Sequence, residues 1–136
     1  MNNLIEELKQ DHVNIKNLFV KIHEGQLSNQ KKFDLLIQSK NELLLHLSKE
    51  DKYLYPALQE KARNNILLKM TLETFAKETD AVSKAINDFY NNYSSVEKIN
   101  TSQFSKDLIS FIIALKKRIM QEEVVIFSTY EKILKR

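Results

Sequence analysis

Apolar side chains recur along most of this chain at alternating steps of three and four residues, the spacing of one face of an α-helix. Four such stripes are separated by short polar stretches. They predict helices over about residues 3–25, 28–56 with a further turn or two over 57–63, 64 or 65 to 93, and 100 onward. Long amphipathic helices joined by short connections predict an all-α fold, an up-down-up-down four-helix bundle forming one domain over residues 1–136.

Capping and helix-breaking residues set the expected helix ends. Asn3 is placed to cap the first helix, and Gly25 to end it with a left-handed turn. Pro56 lacks an amide donor and disfavours helix at the residue before it, so the second helix is expected to kink or end there. Residues 94–100 read as a polar loop, with Asn100 as the cap of the last helix.

The second and fourth stripes combine apolar and ionisable residues. The second stripe consists of Leu36, Ser39, Leu43, His46, Glu50, Tyr53 and Ala57. The fourth consists of Phe104, Leu108, Phe111, Leu115, Arg118, Glu122, Val125 and Thr129. Both are expected to face the bundle interior along their whole length.

The polar interruptions of the four stripes lie at similar depth, to within about a turn of helix. They are His12, then His46 with Glu50, then Thr79, then Arg118 with Glu122. Burying such groups without partners costs several kcal/mol, so a metal ion, a cation or a hydrogen-bond network must satisfy them. The sequence therefore predicts one buried polar layer across the bundle.

Composition narrows the chemistry of that layer. The chain has no cysteine, which excludes disulfides, thiolate catalysis and sulfur-ligated metals. A net charge of +3, with basic and acidic residues interspersed, does not indicate nucleic-acid binding. No apolar run is long enough for a membrane span and no signal-peptide profile is present, so a cytoplasmic protein with no membrane partner is expected.

The motifs around the polar layer resemble those of the hemerythrin-like, or HHE cation-binding, family over essentially the whole chain. Asp11-His12 resembles the helix 1 motif. The stretch His46-x-x-x-Glu50-Asp51, followed by a Tyr-Leu-Tyr-Pro-Ala-Leu run, closely resembles the helix 2 motif. Arg118-x-x-x-Glu122-Glu123 resembles the helix 4 motif without its histidine, and Glu78-Thr79-Asp80 the helix 3 motif, again without histidine.

The resemblance implies a site for a metal ion held by His12, His46, Glu50 and Glu122, the family's complete protein ligand set for one of its two irons. The histidines for the second iron are missing, and Arg118 stands in place of one of them. The implied function is a degenerate metal site for at most one iron, manganese or zinc ion, in a sensor or regulator. Arg118 is expected inside the bundle within hydrogen-bonding reach of Glu50 or Glu122.

A second, less specific resemblance leaves an alternative open. Bacterial anti-sigma regulators of the sigma-70 family have a related bundle, and their last core helix is similar to Ala114-Leu115-x-x-Arg118-x-x-x-Glu122-Glu123. This resemblance implies a metal-free regulatory bundle that binds a protein partner, with the polar layer satisfied by hydrogen bonds around Arg118. In either case no nucleophile–base pair or phosphate loop is recognisable, so an enzyme is not predicted.

Several polar residues near the layer are expected to stay outside the site. His23 lies about 16 Å from His12 along the helix and cannot share it. Tyr53 is expected to be part of the core. Four acidic residues are expected to be solvated flanks of the stripes: Asp51, Glu78, Asp80 and Glu123.

Overall fold

A computed structural model describes residues 4–134, which form seven α-helices and two π-helical segments and contain no strand. The α-helices are α1 (Leu4–Glu24), α2 (Asn29–Lys49), α3 (Tyr55–Ala62), α4 (Ile66–Asn92), α5 (Val96–Ile99), α6 (Ser102–Gln121) and α7 (Ser128–Leu134). The π-helical segments are Glu50–Leu54 and Glu122–Phe127. This is the predicted all-α bundle; the up-and-down order of its long helices stays a prediction. Within the described residues, no helix has the length and apolar character needed to cross a membrane.

Side-chain caps begin the long helices. The Ser28 hydroxyl accepts from the Lys31 amide at the start of α2, and the Asn65 side chain accepts from the Leu68 amide at the start of α4. At the start of α6 the cap is Thr101, one residue after the predicted Asn100. The cap predicted at Asn3 lies outside the described residues.

Gly25 follows α1, but not in the predicted left-handed conformation, because no glycine has a positive φ. What requires glycine here is space. A Cβ at this position would lie 2.5 Å from the carbonyl oxygen of Lys21, which accepts a hydrogen bond from the Gly25 amide. The glycine is therefore needed for a close backbone approach at the end of the helix.

The connection between α4 and α6 is not the predicted polar loop. It contains the four-residue helix α5, whose last residue, Ile99, is buried in the apolar core. The helix contacts α2, so this short connection covers one end of the bundle. The sequence signal for this short helix was a pair of apolar residues, Val96 and Ile99, in an otherwise polar stretch.

Both π-helical segments shift the buried stripe by one residue. A π turn closes i→i+5 hydrogen bonds, as between the Tyr55 amide and the Glu50 carbonyl, and so contains more residues than an α turn. Past the first segment the inward positions are Leu54 and Leu58, whereas the predicted Tyr53 is 60% exposed. Pro56 lies in the first turn of α3, which begins at Tyr55, so the α-helix is interrupted by the π-helical segment directly before the proline, close to the predicted kink or end.

The second segment produces the same shift without a proline. The predicted inward positions Val125 and Thr129 are only half-buried, and Ile126 and Tyr130 are buried instead. Helices α1 and α4 contain no π turn, and His12 and Thr79, the polar interruptions predicted on their inward stripes, are buried.

The polar layer lies between two apolar clusters. On α1, Leu8 belongs to one cluster and Ile15 to the other, with His12 between them. Around the second π segment, Ile119 and Ile126 belong to the two different clusters and Glu122 lies between them. The bundle therefore encloses its ionisable residues in a layer with apolar packing on both sides.

Candidate metal centre

Four ionisable side chains converge in the polar layer. All are buried, and each offers one ligand atom within 4.8 Å of the others. We call them the His–Glu cluster: His12, His46, Glu50 and Glu122. These are the four residues that the sequence marks as candidate ligands, and α1, the end of α2 and the two π-helical segments bring them together.

The two imidazoles meet through their Nε2 atoms. Nε2 of His12 lies 3.0 Å from Nε2 of His46 and 3.1 Å from Glu122 Oε1, and His46 Nε2 lies 3.2 Å from Glu50 Oε2. Nitrogen and oxygen ligands bind zinc at about 2.0–2.2 Å in tetrahedral geometry, which puts neighbouring ligands of one ion roughly 3.3–3.6 Å apart. These three distances and that of 3.7 Å between His46 Nε2 and Glu122 Oε1 are near this spacing, and all four donor atoms lie within 4.8 Å of one another, so a small movement would let them bind a single metal ion.

The other nitrogen of each ring is held by a carboxylate from a different helix. His12 Nδ1 lies 2.7 Å from Glu123 Oε2, and His46 Nδ1 lies 3.0 Å from Asp11 Oδ2. In each case the carboxylate is the sequence neighbour of a cluster residue on another helix. Outer carboxylates of this kind orient metal-binding histidines and make them more basic.

Lys49 extends the outer hydrogen bonding. Its Nζ lies 3.0 Å from Asp11 Oδ2 and 2.8 Å from Glu7 Oε1. The lysine is only partly buried, so its ion pairs contribute little to stability by themselves. Their effect is to hold Asp11 against His46.

The two facing Nε2 atoms repel each other unless a proton or a metal ion lies between them. If both Nδ1 atoms carry the hydrogens that bond Glu123 and Asp11, both Nε2 atoms present lone pairs to each other. A proton or a metal ion removes this repulsion. Burial alone would lower the pKa of His46, but contacts with Glu122 and Glu50 outweigh it and raise the pKa to about 10, so without metal this ring holds the proton.

Glu50 is the least satisfied member of the cluster. Its side chain is fully buried, and neither oxygen has a hydrogen bond of good geometry, although Oε2 lies close to His46 Nε2. Burial, opposed by His46 and reinforced by the nearby Glu122, raises the pKa of Glu50 to about 8. A buried carboxylate that is satisfied this poorly is suited to bind a metal ion.

The pKa of Glu122 is shifted in the opposite direction from that of Glu50. Burial alone would raise its pKa, but the contacts with His12 and His46 outweigh this and hold it well below the usual range. Its second oxygen, Oε2, accepts a hydrogen bond of 3.0 Å from the hydroxyl of Tyr55. The pKa of Tyr55 is raised, mainly by burial and then by the nearby carboxylates, so the hydroxyl stays a donor.

Arg118 does not make the predicted contact with a cluster carboxylate. It forms no ion pair within 4 Å in the described part of the chain, and its Nη1 instead donates to the Ser83 hydroxyl on α4. The prediction of a pair with Glu50 or Glu122 was therefore wrong. The side chain is half-buried and still lines the cavity beside both carboxylates.

Thr79 takes the place where the family motif has its helix 3 histidine. It is buried, and its hydroxyl donates to the carbonyl of Phe75 one turn earlier in α4. Together with Arg118 and Glu50 it lines a second cavity. No imidazole therefore faces Glu50 from this side among the described residues.

The predictions for the flanking residues have mixed outcomes. His23 is exposed and takes no part in the cluster, as expected. Glu123 is not a solvated flank, since it bonds His12. Sequence reasoning also missed Tyr55 and Lys49. Both residues lie beside the sequence motifs, but their hydrogen-bond partners could not be predicted, because these depend on how the helices pack together.

A cavity of about 90 Å³ adjoins the cluster. Besides the four cluster residues it is lined mainly by apolar side chains of α1, α2, α4 and α6, and by Ser83, Asn87 and Arg118. A space of this size holds several water molecules. The cluster thus has room for a small exogenous ligand.

The sequence matches the family described as Hemerythrin HHE cation binding domain over residues 3–130. This chain belongs to the hemerythrin HHE family. No curated protein and no solved structure matches it significantly.

The residues of this hemerythrin-like domain fit a bound metal. Two imidazole nitrogens and two carboxylates, one of them the poorly satisfied Glu50, form a set that suits iron, manganese or zinc. The two carboxylates, Glu50 and Glu122, are each the first residue of a π-helical segment. Such segments often occur at functional sites. Here each starts at a cluster carboxylate.

Proposed function

We propose that this hemerythrin-like domain binds one metal ion, iron, manganese or zinc, through the His–Glu cluster. The observation that carries the proposal is the pair of facing Nε2 atoms, 3.0 Å apart, whose Nδ1 atoms are both held by carboxylates. When neither Nε2 atom carries a proton, that arrangement points two lone pairs at one position, where a metal ion would bind both. A bound ion would supply charge to neutralise the two buried carboxylates there.

The proposal is limited to one ion because the other side of the cluster lacks ligands. Thr79 bonds its own helix, and Arg118 brings a positive charge where a second cation would lie. Asp80 and Glu78, acidic residues near Thr79, are exposed. A second metal would face a cation and no imidazole.

The proposed role is sensing or regulation, with no catalysis by the protein. The cluster joins α1, the end of α2 and the end of α6, so occupancy by metal would link three helices. A signal of this kind requires a partner that distinguishes the two states, and another protein is the proposed partner. Nucleic acid and membrane are not part of the proposal.

The alternative is a metal-free regulatory bundle of the anti-sigma type. It requires the polar layer to be satisfied by hydrogen bonds around Arg118. The arginine bonds Ser83 and not the carboxylates, and neither Glu50 oxygen has a hydrogen bond of good geometry. These contacts favour the metal-binding proposal.

Elemental analysis and thermal unfolding test the proposal. Protein purified without chelator should contain one metal per chain, and a ligand at about 100 times its Kd stabilises a fold by about 2.7 kcal/mol. His46→Ala should lose both the metal and the metal-dependent rise in Tm. Glu50→Gln, which keeps the shape of the side chain, should do the same.

The matched control is His23→Ala, which removes an exposed histidine outside the cluster. It should keep the metal and the rise in Tm. Two metals per chain in the native protein would contradict the one-ion limit. Absence of metal under iron, manganese and zinc supplements would leave the metal-free bundle as the better account.

A further inference from the structure

Arg118 lines the cavity that adjoins the His–Glu cluster. The walls come from α2 through Leu43 and Leu47, from α4 through Ser83 and Asn87, and from α6 through Arg118. Asn87 is exposed, while the four cluster residues are buried. The cavity lining therefore includes both the buried cluster and an exposed residue, and the half-buried Arg118 is part of the same lining.

The guanidinium has spare hydrogen-bonding capacity. Arginine carries five N–H donors, and the Arg118 side chain makes one hydrogen bond, to Ser83, among the described residues. No carboxylate of the described chain lies within ion-pair distance of it. The Ser83 contact orients the guanidinium without neutralising it.

A count of charges gives the preferred ligand class. A divalent ion held by two neutral imidazoles and the carboxylates of Glu50 and Glu122 has no net charge. Arg118 adds a positive charge that has no ion-pair partner within 4 Å among the described residues, at the wall of a cavity lined mainly by apolar side chains. A half-buried guanidinium without an ion-pair partner favours an anionic ligand over a neutral one.

Size and geometry narrow the class further. A cavity of about 90 Å³ admits a ligand of a few non-hydrogen atoms. The guanidinium fork is matched by two oxygens on one atom, as in a carboxylate, more closely than by a neutral diatomic gas. We propose that the cavity is a subsite for a small oxyanion, recognised by Arg118 and bound at the same time to the metal of the His–Glu cluster.

This inference rests on the proposed metal site, so its test measures metal content and anion binding in the same samples. Formate is the probe, because it has two oxygens on one atom and a single charge. The protein is loaded with Co²⁺, whose visible absorption reports changes in its ligands. Formate titration then gives a Kd, and elemental analysis gives the metal content of each sample.

Arg118→Gln removes the charge and keeps much of the side-chain length. Because hydrogen bonds to charged groups are the strong ones, formate should bind roughly ten- to a hundredfold more weakly, with Co²⁺ content unchanged. Lys117→Gln is the matched control, since Lys117 is an exposed cation next in sequence that does not line the cavity. Its formate Kd should stay within about twofold of the native value, because exposed charges are screened.

Ser83→Ala provides a second, milder variant, which removes the group that orients the guanidinium. It should weaken formate binding several-fold even if Arg118→Gln folds poorly. Metal uptake without formate binding, or equal Kd values in Arg118→Gln and Lys117→Gln, would overturn the oxyanion subsite alone. Failure of the native protein to bind Co²⁺ would overturn the metal site and this inference together.

Discussion

His12 and His46 face each other through Nε2 atoms 3.0 Å apart, and each ring is held at Nδ1 by a carboxylate from a neighbouring helix. Each of these carboxylates is the sequence neighbour of one cluster residue and contacts a histidine on another helix. Asp11, next to His12 on α1, holds His46, and Glu123, next to Glu122, holds His12. The two imidazoles are therefore oriented before any ligand arrives, which reduces the free energy needed to assemble the site.

The outer carboxylates should tune metal affinity. Glu123→Gln and Asp11→Asn each weaken the hydrogen bond that orients a histidine, so the Kd for zinc should rise about 10- to 100-fold at unchanged stoichiometry. Competition with a chromophoric chelator measures it. Glu78→Gln removes an exposed carboxylate outside the site and should leave the Kd unchanged. An equal effect in all three variants would show a general charge effect instead.

Stability without metal should depend on pH. The pKa of His46 is raised from 6.5 to about 10 and that of Glu50 from 4.5 to about 8, so the folded protein holds protons that the unfolded chain releases. A group with a raised pKa stabilises the fold below its ordinary value and loses this as pH rises, so Tm should fall between about pH 5 and pH 10.

Metal should change this dependence, since it replaces the protons. The difference in Tm between metal-loaded and chelator-treated protein should therefore widen as pH rises. Glu50→Gln cannot ionise and should show a shallower decline without metal. A Tm of the chelator-treated native protein that is flat or rises over this range would contradict the assignment.

The hydroxyl of Tyr55 should contribute to the site. Tyr55→Phe removes the donor to Glu122 Oε2, which should lower the free energy of unfolding without metal by about 1 kcal/mol. Denaturant unfolding of the chelator-treated protein measures this. Tyr53→Phe is the matched control, because Tyr53 is exposed after the π turn, and it should change little. If the two variants were equally stable, the hydrogen bond would have no net value.

Restoring the missing histidines should restore a second metal. Arg118→His removes the competing charge and adds a ligand, so metal uptake should increase, and Thr79→His with Arg118→His should take up a second ion per chain. Both positions line the cavity next to Glu50, so there is room for it. Thr79→His with Arg118 retained should remain at one ion. If the double variant also stayed at one, ligand loss would not explain the limit.

The sequence predicts the helices and the cluster well because both depend on local spacing. His46 and Glu50 lie one turn apart, and His12 interrupts an apolar stripe, so their inward direction follows from periodicity. The one-residue shift to Leu54 and Ile126 does not follow from it. Each shift arises from a π turn at a cluster carboxylate, and an α-helical period cannot anticipate the extra residue.

Contacts between helices were harder to predict from the sequence. Asp11 and Glu123 appear in the motifs, yet which histidine each one holds depends on the packing of α1 against its neighbours. Arg118 was predicted to pair with a carboxylate, and in the structure it bonds Ser83 on α4. A long side chain at an inward position can reach polar groups on more than one neighbouring helix. Which of them it contacts depends on residues that are distant in sequence.

Anomalous diffraction from crystals of the native, metal-loaded protein tests the central claim most directly, because it locates the ion. We predict one anomalous peak per chain, within bonding distance of Nε2 of His12 and of His46 and beside oxygens of Glu50 and Glu122. Arg118 should lie outside its bonding sphere. Two peaks per chain, a single peak away from the facing Nε2 atoms, or no peak from protein shown to contain metal would contradict the account.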